Sequence, residues 1–177
     1  MRVKPHTFNG AYRGDELSHI SFPLGGLGAG MVCLEGTGAL GSISVRNEPA
    51  IHHSPMIFAA LCVKGRQPVA RLLEGPVPPA RWPHGMHGEV RGRTDGLPRC
   101  ARAEFSARFP FAQVKLHEPA WPLAVDVTGW SPFTPGDADA SSMPLAGVEY
   151  RITNRGTRRV DAVFSFHAEN FMRMGGA

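Results

Sequence analysis

The sequence is poor in cysteine, in net charge and in long hydrophobic runs, and each shortage removes a class of protein. Only Cys33, Cys62 and Cys100 are present. They are odd in number and widely spaced, with no Cys-x-x-Cys, so neither a zinc ribbon nor a disulfide framework is indicated. No Asn-x-Ser/Thr acceptor occurs, and a reducing, cytoplasmic location is the expectation. The longest uncharged apolar run, Pro55 to Val63, is far shorter than the ~20 residues a membrane helix needs. The N-terminus (MRVKPH) has no apolar h-region, so no secretory signal is visible. The formal net charge is only +4. Most of that excess lies between Arg81 and Arg108, where six Arg stand against Glu89, Asp95 and Glu104. A nucleic-acid surface needs basic residues gathered on one face with aromatics between them. Here acids, Pro and Gly interrupt the run, which reads as a solvated loop, and no nucleic-acid partner is expected.

Hydrophobic residues make up 42% of the chain and charged ones 19%, a balance that excludes a disordered tail. A chain of 177 residues can bury a real core. Its 21 Gly and 16 Pro break the sequence every few residues, so no stretch sustains a helical apolar period. Short β-like runs recur instead: Gly30–Glu35, Ser42–Arg46, Met56–Val63, Val69–Glu74, Ala103–Ala107, Phe111–Glu118, Leu123–Thr128, Leu145–Thr153 and Val160–Glu169. Many short strands separated by turn signals predict an all-β fold, here an antiparallel two-sheet β-sandwich. The last two runs alternate most clearly. Val148, Tyr150 and Ile152 share one face, as do Phe164 and Phe166, and Asn154-Arg155-Gly156-Thr157 lies between. The expectation is a hairpin over Leu145–Glu169 with those five side chains buried. Glu74–Pro98 and Ser131–Pro144 are dense in Gly and Pro and are expected to be loops. The chain stops directly after a strong strand with no closing element. A sandwich truncated at its C-terminus is therefore expected.

No motif carries a self-contained chemistry. Gly36-x-Gly38-x-x-Gly41 matches the dinucleotide fingerprint formally, but the next residues alternate like a strand where a helix is required, so a hairpin turn is expected. The run from Pro23 to Gly30 (PLGGLGAG) lacks the Gly-Lys-Ser/Thr ending of a P-loop and reads as close backbone packing. His52 and His53 are adjacent and would face opposite sides of a strand. His84 and His87 sit in a Gly/Pro loop with no carboxylate or Cys beside them, and His167 falls on the face opposite Phe164 and Phe166. Asp137 and Asp139 fail the calcium-loop pattern and read as a capped turn. Trp82, Trp121 and Trp130 sit near Pro, either as a sugar platform or as buried strand-end residues. No pair of carboxylates is singled out for glycoside hydrolysis, and no Gly-x-Ser-x-Gly is present. No catalytic residue, metal ligand or cofactor site is assigned.

Several segments taken in order do carry a resemblance. They are Phe22–Gly30 (FPLGGLGAG), Leu34–Gly38 (LEGTG), Pro55–Lys64 (PMIFAALCVK), Gly129–Asp137 (GWSPFTPGD) and Ser142–Asn154 (SMPLAGVEYRITN). Together they resemble the N-terminal domain of glycoside hydrolase family 116, which includes the non-lysosomal glucosylceramidase (bile-acid β-glucosidase). The resemblance covers nearly the whole chain. It implies residues 1–177 as an N-terminal β-sandwich domain that packs on a C-terminal (α/α)6 barrel. That barrel would carry the Glu nucleophile and Asp acid/base for retaining hydrolysis of β-glucosides or glucosylceramide-like substrates. None of the barrel is in this chain, so the resemblance implies no catalytic residue here. The alternative is a free-standing β-sandwich that binds carbohydrate or protein. A reading frame continuing past Ala177 into a helical domain separates the two.

Two irregular stretches are rich in apolar residues and are the candidates for contact with a catalytic domain. One holds Leu24, Gly25, Gly26, Leu27 and Gly28, and the other holds Trp130, Pro132 and Phe133. Loops with no partner are more often polar.

Overall fold

The computed structural model describes residues 7–46, 48–50, 53–77, 94 and 96–172. Among the described residues eleven strands run in the order β1 (Tyr12–Arg13), β2 (Ser21–Leu24), β3 (Met31–Glu35), β4 (Leu40–Ser44), β5 (Ile57–Val63), β6 (Val69–Leu72), β7 (Arg102–Arg108), β8 (Phe111–His117), β9 (Leu123–Trp130), β10 (Gly147–Asn154) and β11 (Ala162–Ala168). A short 3-10 helix spans Gly14–His19, and one helical turn, α1, spans Ala138–Ser141. The all-β, antiparallel expectation holds, and each of the nine β-like runs of the sequence overlaps a strand, Ser42–Arg46 meeting only the end of β4. One layer is a five-stranded sheet, β1-β7-β8-β9-β10. The opposite layer is divided between two three-stranded sheets, β2-β3-β4 and β11-β5-β6, where a single second sheet was expected.

Period-two burial builds the core. In β8, Ala112, Val114 and Leu116 point inward, as do Leu123, Val125 and Val127 of β9. They meet Leu24 and Leu34 from one facing sheet and Ala59 and Leu61 from the other. Trp121 closes one end, buried, with its indole N–H donating to the Val69 carbonyl at 3.2 Å. The Gly36–Gly41 segment holds the β3–β4 turn and the start of β4, and the Gly38 N–H donates to the Glu35 carbonyl at 2.8 Å. That is the hairpin expected in place of a nucleotide site.

The expected hairpin over Leu145–Glu169 is not formed. β10 pairs with β9, and β11 pairs with β5 in the opposite layer. The connection between them is an arch. Asn154 Nδ2 donates to the Arg158 carbonyl at 2.7 Å, and the Lys64 N–H donates to the Asp161 carbonyl at 2.8 Å, carrying the chain across to β5. The two strands therefore meet face to face. The Tyr150 ring lies 5.4 Å from that of Phe164 and 6.4 Å from that of Phe166. The inward sides were assigned correctly and their burial was not. Val148 and Tyr150 are half-buried, whereas Ile152, Phe164 and Phe166 are 38%, 43% and 50% exposed. The reason is topological: β10 and β11 are both edge strands of their sheets, on the same side of the sandwich. Burial, then the charge of Glu74, raises the Tyr150 phenol well above its usual range.

Candidate functional site

One end of the sandwich gathers three loops. The first is the glycine-rich turn after β2. Its backbone approaches the third loop so closely that a Cβ at Gly26 would fall on the Met143 carbonyl oxygen. The second is the short β7–β8 turn through Phe109 and Pro110. The third follows β9 and runs from Ser131 to Leu145. Hydrogen bonds stitch them together. The Gly25 N–H donates to Ser131 Oγ at 3.1 Å, the Leu27 N–H to the Ser141 carbonyl at 2.8 Å, and the Ser131 N–H to the Pro110 carbonyl at 3.2 Å. Within the third loop Ser141 is buried. Its Oγ accepts from the Thr134 N–H and donates to the Thr134 carbonyl, both at 3.0 Å. Asp137 caps α1 by accepting from the Ala140 N–H at 2.9 Å. This is the capped turn that the sequence suggested for Asp137 and Asp139.

Seven of the side chains exposed at this end are large and apolar, beside the polar Thr134, Asp137, Asp139 and Ser142. Leu27, Phe109, Phe111, Trp130, Phe133, Met143 and Leu145 are each between 37% and 58% exposed. Phe109 and Phe133 meet edge to face, with ring centroids 4.9 Å apart. Phe111 and Trp130 are cross-strand partners in the β8–β9 ladder. The Trp130 indole also lies over Gly147 of β10, so closely that a Cβ there would overlap the ring. Beside the glycine-rich turn lies a cleft of about 590 Å³, whose lining includes Leu24, Gly26, Met31, Leu145, Phe171 and Met172.

The structure thus brings the two candidate stretches of the sequence together and divides their residues by role. Leu24 is fully buried in the core, Pro132 is buried, and Gly26 is covered by the third loop. Gly25 serves through its backbone. Leu27, Gly28, Trp130 and Phe133 are exposed. Sequence reasoning missed Phe109, Phe111, Met143 and Leu145. The available signal was Phe109-Pro110-Phe111, two aromatics flanking a proline at a strand junction, where a polar turn is usual.

Two buried carboxylates are held in ion pairs. Glu74 is bound by Arg99 at 3.1 Å and Glu118 by Arg71 at 2.9 Å, both carboxylates being buried. A second cleft of about 580 Å³ is lined by Arg13, Asp15, Arg102, Glu104, Lys115 and Arg155 among others, and Arg13 holds Glu104 there at 2.7 Å. Among the described residues no group of three or more His, Cys, Asp or Glu is placed to hold a metal ion. Cys33 and Cys100 are buried free thiols. Burial, with Glu118 next, pushes Cys100 up to about 12, and burial raises Cys33, so neither has thiolate character at neutral pH. His167 stacks on Phe58 with ring centroids 4.6 Å apart. His52, Trp82, His84 and His87 lie outside the described residues. Among the described residues no helix is long and apolar enough to cross a membrane.

A family model described as "beta-glucosidase 2, glycosyl-hydrolase family 116 N-term" matches residues 21–176. No curated protein matches the chain. The match spans most of the sequence and includes every strand except β1, and the chain belongs to that family.

Proposed function

We propose that this chain is the non-catalytic N-terminal domain of a retaining β-glucosidase or glucosylceramidase, and that its apolar end packs on and supports the catalytic domain. The observation that carries this reading is the end itself. Three loops distant in sequence are tied by backbone hydrogen bonds into one surface, and that surface presents seven large apolar side chains to solvent. Exposed apolar patches of this kind usually mark interaction sites. The β-glucoside or glucosylceramide-like substrate then belongs to the other domain, and this chain alone turns over none of it.

The test uses the purified 177-residue chain and a separately produced catalytic domain of the same protein. The chain alone is expected to leave an aryl β-glucoside intact, and the two parts are expected to associate. Leu27→Glu and Phe109→Glu, at the two most exposed positions of the patch, are expected to weaken that association without unfolding the chain. Turnover by the repurified chain, or association indifferent to both substitutions, overturns the reading. The second reading is a carbohydrate-binding module with Trp130 and Phe111 as its platform. It requires saturable binding of a glucoside by the chain alone, lost on Phe111→Ala.

A further inference from the structure

The free edge of the five-stranded sheet has a property that the apolar end does not share. Among the described residues β10 pairs with β9 alone, so every second residue of Gly147–Asn154 directs its backbone N–H and C=O away from the sheet. Natural sheets usually guard such an edge with a proline, a bulge or charged side chains. β10 has no proline and no bulge, and its two charges are of opposite sign. Its register with β9 is unbroken over eight residues, and its outward face carries one charge of each sign, Glu149 and Arg151. Its inward face, Val148, Tyr150 and Ile152, roofs an interlayer left open above Phe164 and Phe166.

That charge pattern is self-complementary. Consider two copies of β10 paired antiparallel about a two-fold axis through Tyr150. Glu149 then stands opposite Arg151 of the second copy, and Arg151 opposite the second Glu149. On the inner side Val148 faces Ile152, and Tyr150 faces its own copy. Each is a favourable cross-strand pair. Moving the axis by one residue sets Glu149 against Glu149 or Arg151 against Arg151. Moving it further shortens the ladder. Placing it between residues sets inward side chains opposite outward ones. At the strand ends Gly147 meets Thr153, which leaves room for the Trp130 indole lying on Gly147.

We propose that β10 is an isologous pairing edge whose occupant is β10 of a second copy of this chain, in the register centred on Tyr150. The five-stranded sheet becomes a ten-stranded one, and the second copy's strand covers the open interlayer beside Phe164 and Phe166. The surface is distinct from the apolar end, so the proposal stands or falls independently of the interdomain reading.

Light scattering and sedimentation equilibrium of the 177-residue chain at low salt test it. A dimer is expected. Glu149→Arg and Arg151→Glu each replace two opposite-charge pairs by two like-charge pairs and are expected to weaken dimerisation by about tenfold or more. The double variant Glu149→Arg/Arg151→Glu restores the opposite-charge pairs and is expected to dimerise like the parent. Both side chains are exposed, so folding should be unaffected, which circular dichroism checks. A wild-type chain that stays monomeric, single variants that dimerise as the parent does, or a double variant that fails to recover overturns the proposal. A monomer whose β10 edge is occupied by another strand of a longer polypeptide overturns it equally.

Discussion

Gly26→Ala tests whether the close approach of two loops builds the apolar end. The added methyl has nowhere to go. It would sit on the Met143 carbonyl oxygen, with the Ser142 carbonyl carbon and oxygen 2.6 and 2.7 Å away. All of these are backbone atoms, so no side-chain rotation relieves the clash. The glycine-rich turn must lift off the third loop. That motion puts two hydrogen bonds at risk, Gly25 N–H to Ser131 Oγ and Leu27 N–H to the Ser141 carbonyl. Losing each costs about 1 kcal/mol. Overpacking adds ~1–3 kcal/mol. With both hydrogen bonds lost, a destabilisation of about 3–5 kcal/mol is therefore expected in urea unfolding, together with weaker association with the catalytic domain. Gly28→Ala is the control. Gly28 has φ +74 but nothing within 4 Å of an added Cβ, so only the left-handed conformation is penalised, by about 1–2 kcal/mol. If Gly26→Ala falls within 0.5 kcal/mol of the parent, or costs less than Gly28→Ala, the loops are not held by this contact and the reasoning fails.

Two further outcomes are expected. Trp130 is 37% exposed, and the remainder of its surface covers Gly147 and the sheet, so Trp130→Ala should cost about 2–4 kcal/mol by buried-area reckoning, whereas Leu27→Glu should be near neutral. Equal stabilities for the two variants in thermal unfolding would contradict that placement. Cys100 gives a pH signature. Its folded pKa of about 12 lies above the unfolded value near 9.0, so the folded chain holds the proton longer. That stability is fully present below pH 9 and is lost as pH rises toward 12, with a fall of about 2–3 kcal/mol between pH 9 and 11. Cys100→Ala should flatten this part of the urea-stability profile. In thiol labelling at pH 8, half-exposed Cys62 should react first while Cys33 and Cys100 wait for unfolding.

Strand positions were legible in the sequence because period two survives wherever one face is buried. Pairing was not. The alternation of Val148, Tyr150 and Ile152 reports which way those side chains point, and they do point at Phe164 and Phe166. The same alternation arises whether two strands lie side by side in one sheet or face to face across a sandwich. Seven residues of connection, 155–161, permit either, and only the partners β9 and β5 decide. The site was legible in part for a similar reason. Leu24–Gly28 and Trp130–Phe133 combined irregular backbone with apolar side chains, a pattern visible locally. That Gly25 and Ser131 meet, 106 residues apart, is a property of the fold. Phe111 was passed over because it opens a genuine strand, and strand aromatics are ordinarily core.

The two incomplete surfaces differ in what can complete them. At the apolar end the backbone is internally used: Gly25, Leu27, Ser131, Thr134 and Ala140 all spend their N–H groups within the three loops. A partner there can gain only from side-chain contact, so any folded surface of matching shape suffices. At β10 the side chains alternate between core and solvent while the backbone is open, so only an extended strand in the right register gains. The two surfaces therefore select different partners and can be filled together. Charge reversal at Glu149 should change the mass of the chain in solution and leave its association with the catalytic domain intact, and Leu27→Glu should do the opposite. A substitution at either surface that disrupts both associations would mean the surfaces are one, and that the backbone-versus-side-chain distinction does not describe how this domain is completed.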